Sequence, residues 1–145
     1  MRAVDTNVLV YSEIISMPQH RIARSLVTEL AEGVVPWAIP WPCIYEFLRV
    51  VTHPRVFAPP VPMAIALHDL DQILASPTLT VLSETERHAD VMKTVLKDAG
   101  VTGNLLHDAH IAALCVEHGI NELVTGDRDF SRFPIRVFNP FAESG

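Results

Sequence analysis

The chain has 145 residues, of which 49% are hydrophobic and 19% charged, and its formal net charge is -6. This size and composition fit one domain with a substantial apolar core and exclude a disordered chain. An acidic balance argues against strong nonspecific nucleic-acid binding through protein charge alone. Cations bound between clustered acids would reverse the local field, so net charge does not decide whether nucleic acid is a partner.

Short apolar runs alternate with segments of helical periodicity along almost the whole chain. The predicted strands are residues 2–5, 34–40, 80–82, 122–125 and 135–138. The predicted helices are residues 6–13, 20–33, 41–53, 63–75, 84–99 and 104–118. The proline-rich segment 54–62 is expected to be a loop. This alternation predicts an α/β domain with a central, mainly parallel sheet of four to five short strands, covered by helices on both faces.

Cysteine content and hydrophobic patterning indicate the compartment. Cys43 and Cys115 lie far apart in apolar stretches, so we expect buried free thiols rather than a disulfide framework or a zinc site. Arg2 and Asp5 bring charge to the N-terminus, where a signal peptide would continue its hydrophobic stretch. No apolar run approaches the ~20 residues needed to cross a bilayer. We therefore expect a cytoplasmic protein with no membrane partner.

Two acidic residues follow predicted strands. Asp5 ends the first strand, and Asp127 follows the strand that ends at Thr125. Ligands of parallel α/β sheets bind beyond the carboxyl ends of the strands, so both acids can contribute to one site. Each also has a simpler interpretation. Asp5 can be the N-cap of the following helix, and Asp127 can belong to a turn over Gly126–Asp129.

Two further acids lie in apolar helical stretches. Glu46 is surrounded by Ile44–Leu48, where a buried carboxylate without a partner is costly; alternatively, it faces solvent beside Arg49. Asp108 lies four residues after Asn104, so the two share a helical face, which can also be an ordinary solvated face. Converging carboxylates repel one another unless a cation lies between them, and Mg²⁺ and Mn²⁺ prefer such oxygen ligands. One or two ions held this way would support hydrolysis of a phosphodiester bond.

Four short blocks carry these acids in order: Val4–Tyr11, Tyr45–Phe47, Asp108–Ala112 and Thr125–Phe130. In this order and spacing the blocks resemble the PIN-domain family, and within it the VapC-type toxins of type II toxin–antitoxin modules. The segment Glu46–Phe57 also resembles this subfamily, and the match extends over essentially the whole chain.

The resemblance implies a single PIN-like nuclease domain over residues 1–145 with a three-layer α/β/α fold. It implies endoribonuclease activity that depends on one or two Mg²⁺ or Mn²⁺ ions, with tRNA, rRNA or mRNA as the substrate. It also implies inhibition by a cognate VapB-type antitoxin that covers or enters the acidic cleft, and frequent homodimers.

The resemblance also assigns roles to individual residues. The catalytic, metal-binding acids would be Asp5, Glu46, Asp108 and Asp127. Asp129 is a further candidate metal ligand, because the family's fourth acid varies in position, and Asp127 and Asp129 stay alternatives for it. The positions that match supporting polar residues are Asn7, Asn104 and Thr125.

Basic and aromatic residues near these blocks have less specific signals. Four arginines could contact RNA phosphates or an antitoxin carboxylate, and ordinary surface positions are the alternative: Arg49, Arg55, Arg128 and Arg132. His107 and His110 flank Asp108 but lie about 100° and 200° around the helix from it. We therefore expect surface or packing roles for these histidines rather than metal binding.

Two other functions make different predictions. An aspartyl-nucleophile phosphatase of the haloacid dehalogenase kind would use Asp5 and a second acid two residues later, where this chain has Asn7. A non-catalytic PIN-like RNA-binding or regulatory module predicts the loss of one or more acids, and all four are present. The sequence therefore favours the nuclease and leaves the non-catalytic module as the alternative.

Overall fold

The computed structural model describes residues 1–142, and within them five short parallel strands form one sheet. The strands are β1 (Arg2–Val4), β2 (Trp37–Pro40), β3 (Leu79–Leu82), β4 (Glu122–Val124) and β5 (Val137–Phe138). The α-helices of this part of the chain are α1 (Thr6–Glu13), α2 (His20–Glu32), α3 (Trp41–Val51), α4 (Met63–Leu74), α5 (His88–Ala99) and α6 (Leu106–Glu117). The predicted α/β architecture is confirmed. The last positions of the predicted domain, residues 143–145, lie outside the described residues.

The order of the strands reverses next to β1. The sheet runs β3-β2-β1-β4-β5, so the chain moves outward from β1 to β3 and then returns to the other side of β1. Because crossovers between parallel strands are right-handed, the helices before and after this return cover opposite faces. Accordingly, α1 packs on α2 and α3, α3 packs on α4, and α5 packs on α6. A ligand crevice is expected at such a reversal, beyond the carboxyl ends of the strands.

The central strands of the sheet are buried on both faces, as the apolar runs predicted. Every residue of β2 is buried, and Ala3 and Val4 of β1 are fully buried. Trp37 is also inaccessible to solvent, and its Nε1 donates to Ser76 Oγ at 3.2 Å. The Ser76 hydroxyl donates in turn to the Ala31 carbonyl at 2.9 Å, so the polar atom of this tryptophan is satisfied inside the core.

The free thiols predicted from the sequence are confirmed. Cys43 and Cys115 are both buried, and no disulfide joins them. Among residues 1–142 no helix has the length and apolar character to cross a membrane.

The predicted start of α5 at residue 84 is wrong, because a long-range contact holds the preceding residues in a turn. The backbone N–H and the hydroxyl of Thr85 donate to Glu117 Oε1 at 2.9 and 2.8 Å. The Arg87 N–H donates to Thr85 Oγ1 at 3.2 Å. Glu117 belongs to α6 and is buried, so the sequence around Thr85 does not predict these hydrogen bonds. The helix begins only at His88.

The predicted helix 104–118 is also modified at its start. Gly103–Leu105 form a 3-10 turn, and Gly103 has a φ of 65°, a left-handed conformation that favours glycine. The α-helix then begins at Leu106, which puts Asp108 in its first turn, where the helix dipole favours a carboxylate. Asn104 lies in the 3-10 turn before α6, so it does not share an α-helical face with Asp108.

Candidate metal-binding active site

A cavity of about 370 Å³ lies beyond the carboxyl end of β1, at the reversal of the sheet. Its lining includes four of the five predicted acidic ligands: Asp5, Glu46, Asp108 and Asp127. These acids come from the end of β1, from α3, from the first turn of α6 and from the loop after β4. Apolar and aromatic side chains also line the cavity: Val10, Tyr11, Met17, Val50, Val56 and Phe57. The fold thus brings four acids that are distant in sequence to one cavity.

Asp5 is the most enclosed of these acids, with 4% of its surface exposed. It has the position of the N-cap of α1, but its side chain makes no capping hydrogen bond. Its Oδ2 accepts from the Thr125 hydroxyl at 2.7 Å and from Asn7 Nδ2 at 3.3 Å. Burial raises the pKa of Asp5 above its ordinary value, although the hydrogen bond from Thr125 opposes this shift.

The second oxygen of Asp5 has a partner that sequence reasoning missed. The Cys43 thiol donates to Asp5 Oδ1 at 3.5 Å, whereas we expected this cysteine only to fill space in the core. One signal was available in the sequence: Cys43 precedes Glu46 by three positions, so both project from one face of α3. Burial and the negative charge of Asp5 raise the pKa of the Cys43 thiol, which keeps it a donor.

The Thr125 hydroxyl connects Asp5 to the loop after β4. Its oxygen accepts from Asn7 Nδ2 and from the Asp127 N–H, both at 3.0 Å. Because both lone pairs are used, the single hydroxyl proton is directed to Asp5. Asn7 Oδ1 also accepts from the Gly126 N–H at 3.1 Å. Asn7 and Thr125 therefore orient Asp5 and set the position of Asp127.

Replacing the buried Thr125 with Val tests this network. The variant leaves the donors of Asn7 and Asp127 without their acceptor and removes the donor to Asp5. We expect the free energy of unfolding to fall by about 1–3 kcal/mol. Urea unfolding at neutral pH with EDTA measures this change, and Thr125→Ser, which keeps the hydroxyl, should stay near the parent. Equal stabilities of the Val and Ser variants would contradict the proposed role of the hydroxyl.

Asp108 is the point where the negative charges converge. Its pKa is raised to about 7, first by burial and then by the charges of Asp127, Asp5, Asp129 and Glu46. Each of Asp108, Asp127 and Asp129 offers an oxygen within 4.8 Å of the other two. Within residues 1–142, neither Asp108 nor Asp5 has a salt bridge to a basic side chain. This hard-oxygen donor set with uncompensated charge fits a divalent cation of the Mg²⁺ or Mn²⁺ type.

Glu46 combines the two arrangements that the sequence left open. It lines the cavity, and on the solvent side Arg49 Nε and a terminal nitrogen donate to its two oxygens at 3.2 and 2.6 Å. His107 Nε2 lies 4.0 Å from Glu46 Oε2 and also lines the cavity. His107 is exposed, as predicted, and it also lies near an acid of another helix. The angle between His107 and Asp108 around α6 does not predict a contact with Glu46, because Glu46 belongs to α3.

Asp127 and Asp129 occupy different environments. Asp127 lines the cavity, and its Oδ1 accepts from the Asp129 N–H at 2.9 Å, so it also begins the 3-10 turn Arg128–Arg132. The turn predicted as the simpler interpretation is therefore present together with the cavity-lining position. The Asp129 side chain is 52% exposed and lies 3.8 Å from a terminal nitrogen of Arg132. Of the two alternatives, only Asp127 lines the acidic cavity, so it is the better-placed candidate for the fourth acid.

The remaining predicted residues lie outside the acidic lining. Asn104 is exposed in its 3-10 turn, away from the cavity wall. Arg55 is exposed after α3, and Arg128 lines a separate cavity of about 310 Å³ that Asp127 and Thr125 also line. Roles of the arginines toward RNA or an antitoxin stay predictions.

Known proteins with similar sequences share a family with this chain. The model of the PIN domain family matches residues 2–135. Ribonuclease VapC48 of Mycobacterium tuberculosis is 33% identical over 139 residues, which cover 95% of this chain and 96% of that protein. Ribonuclease VapC43 of the same organism is 36% identical over 133 residues, which cover 92% of this chain and 90% of that protein.

Solved structures share the fold. VapBC2 from Rickettsia felis, bound to a DNA fragment from its promoter, superposes with a TM-score of 0.66 at 20% identity, over 95% of this chain and 97% of that chain. VapC20 of Mycobacterium tuberculosis, described as a sarcin-ricin loop cleaving toxin, has a TM-score of 0.65 at 16% identity, over 90% and 93% of the two chains. The chain therefore belongs to the PIN-domain family, in its VapC branch, as the four sequence blocks predicted.

Proposed function

We propose that this protein is a Mg²⁺- or Mn²⁺-dependent endoribonuclease and the toxin of a VapBC-type toxin–antitoxin module. The observation that carries the proposal is the convergence of Asp5, Glu46, Asp108 and Asp127 in one cavity at the reversal of the sheet. The names of the relatives, ribonucleases VapC48 and VapC43, support the ribonuclease activity. The dependence on metal rests on the acids themselves.

The acids and their partners have distinct parts in this proposal. When bound, one or two divalent ions would supply an activated water and offset charge on the phosphate oxygens. Asp5 offers an oxygen whose direction is set by the Thr125 hydroxyl and Asn7. Asp108, with its pKa of about 7, holds a proton readily when its charge is not compensated, and binding of a cation would release that proton to solvent. Arg49, paired with Glu46 at the solvent side, provides positive charge for the RNA backbone.

Incubation of the purified chain with total RNA tests the proposal. We expect discrete cleavage products with Mn²⁺, their loss with EDTA, and their return when Mn²⁺ is added in excess. A preparation of Asp5→Asn, purified in the same way, controls for contaminating nucleases. Identical RNA patterns for the parent and this variant would refute the nuclease. RNA binding without any cleavage in Mn²⁺ would support the non-catalytic module instead. Sequencing the 5′ ends of products identifies the RNA cut, which can be tRNA, rRNA or mRNA.

The proposed partners are a VapB-type antitoxin and a second copy of the chain. Solved toxin–antitoxin complexes with the same fold support an antitoxin partner. The exposed arginines next to the acidic cavity suit an antitoxin carboxylate as well as RNA. Several large apolar side chains of α3 and α4 are exposed, as a homodimer contact would require: Trp41, Tyr45, Met63, Ile65 and Leu67. Light scattering of the purified chain measures the dimer directly.

Paired variants distinguish the two candidates for the fourth acid. Asp127 lines the cavity and begins a turn, whereas Asp129 is largely exposed. We expect Asp127→Asn to lower the RNA cleavage rate by about tenfold or more, because it removes a charge near the metal. The asparagine oxygen can still accept from the Asp129 N–H, so the turn is kept. Asp129→Asn is expected to change the rate less than threefold or so, and a reversed ranking would assign the site to Asp129.

A further inference from the structure

A second group of potential metal ligands lies on the other side of α6 from the acidic cavity. We call Glu84, His88 and His110 the histidine cluster. Each of these residues offers a ligand atom within 4.8 Å of the other two. The cluster lines a separate cavity of about 340 Å³ between α5 and α6. His110 follows Asp108 by two positions, which places the two side chains about 200° apart around the helix.

A buried carboxylate orients His88. Nδ1 of His88 hydrogen-bonds Glu117 Oε2, and the Glu117 side chain has no exposed surface. The other oxygen of Glu117 accepts two hydrogen bonds from Thr85, so this carboxylate is held in place. With Nδ1 donating to the carboxylate, Nε2 of His88 carries the lone pair. This carboxylate–histidine arrangement is the one that commonly orients histidine ligands of zinc.

The other two residues of the cluster lie close to each other and to His88. His110 Nε2 lies 2.8 Å from Glu84 Oε1, and the rings of His88 and His110 meet edge to face with centroids 5.6 Å apart. In a tetrahedral zinc site, bonds of about 2.0–2.1 Å put ligand atoms roughly 3.3 Å from one another. Glu84 is exposed, so a rotation of its side chain can bring its carboxylate to this spacing without moving the backbone.

We propose that the histidine cluster binds one Zn²⁺-type transition-metal ion through His88 Nε2, His110 Nε2 and the Glu84 carboxylate, with water completing the coordination. Two imidazoles and one carboxylate favour such an ion over Mg²⁺, which prefers oxygen ligands. The ion connects the turn before α5, α5 itself and α6, the helix that carries Asp108. The site is separate from the acidic cavity, because none of its ligands lines that cavity.

Calorimetric titration of metal-free protein with Zn²⁺ tests the site. The full chain with Asp5→Asn and Asp108→Asn serves as the parent, because these changes weaken competing binding in the acidic cavity. We expect about one equivalent of Zn²⁺ to bind. His88→Ala, His110→Ala and Glu84→Gln should each weaken binding at least about tenfold. His68→Ala, which changes an exposed histidine of α4, is the matched control and should bind like the parent.

Two further readouts separate loss of the site from loss of the fold. Zn²⁺ should raise the melting temperature of the parent and of His68→Ala by about 4 °C or more at saturating concentration, and leave that of Glu84→Gln nearly unchanged. Glu84 is exposed, so its variant should fold like the parent. Excess Mg²⁺ should leave Zn²⁺ binding unchanged. Absence of Zn²⁺ binding by the parent, equal binding by Glu84→Gln, or displacement by Mg²⁺ would each overturn the proposal.

Discussion

Asp5→Asn is expected to reduce Mn²⁺-dependent RNA cleavage by roughly 100-fold or more, since a metal contributes several kcal/mol to stabilising the transition state. The variant removes one negative charge at the most enclosed position of the acidic cavity. The fold should persist because the asparagine has the same shape and its oxygen can still accept from the Thr125 hydroxyl. Its amide nitrogen then faces the Cys43 sulfur, a weak acceptor.

Cleavage rates at saturating Mn²⁺ measure this effect, together with circular dichroism and thermal unfolding to show that the fold is kept. Asp98→Asn is the matched control, because Asp98 is an exposed acid of α5 outside the cavity. It should cleave RNA at the parent rate. Parent-like cleavage by a folded Asp5→Asn protein would remove Asp5 from the active site.

Asp108→Asn should have two effects of opposite kind. It should reduce cleavage as strongly as Asp5→Asn does, and it should make the metal-free protein more stable at pH 8. Burial and four neighbouring acids raise the pKa of Asp108 to about 7. Its negative charge therefore destabilises the folded state when no cation is present. Because Asp108 is only half-buried, solvent screening reduces the gain to about 1 kcal/mol, or roughly 2–4 °C in melting temperature.

The pH dependence of this gain follows from proton linkage. The folded state holds the Asp108 proton up to a pKa of about 7, whereas the unfolded state releases it near pH ~3.9. The folded parent therefore binds more protons between these values, and its stability falls as the pH rises through the window. The asparagine side chain of the variant has no such proton. The difference in melting temperature should be small near pH 4, grow up to about pH 7, and stay constant above it.

Scanning calorimetry of both proteins in EDTA, from about pH 4.5 to about pH 8.5, measures this difference across the window, with Asp98→Asn again as the control. Addition of Mg²⁺ should stabilise the parent more than Asp108→Asn, because the cation offsets the repulsion that the variant lacks. A variant that is less stable than the parent at pH 8 in EDTA would contradict the assigned convergence of charge at Asp108.

Local sequence patterns predicted much of the architecture. Apolar runs alternating with helical segments predicted a parallel sheet with helices on both faces, because period and length are properties of neighbouring residues. The rule that parallel strands end at one edge of a sheet placed Asp5 and Asp127 near each other. Glu46 and Asp108 lie in helices, where position along the chain says little about direction. Their assignment depended on the order of the blocks that resemble the PIN-domain family.

The hydrogen-bond partners of the acidic side chains could not be predicted from local sequence patterns. The Cys43 thiol and the Thr125 hydroxyl both reach Asp5 from distant elements. The role predicted for His107 rested on its angle to Asp108 around the same helix, but its neighbour in the cavity is Glu46 of another helix. Such contacts depend on how far apart two packed elements lie, and the sequence does not state that distance.

By itself, then, the sequence determined the fold class, the family and the acids that are candidates for the metal. Only the tertiary structure decided which polar groups hold those acids, and that Asp127 rather than Asp129 lines the cavity. It also decided where α5 begins, because the buried Glu117 captures Thr85 from across the fold. The physical reason is the same in each case. Hydrophobic periodicity follows from the neighbours of a residue in the chain, whereas hydrogen bonds and charge repulsion act between groups that only packing brings together.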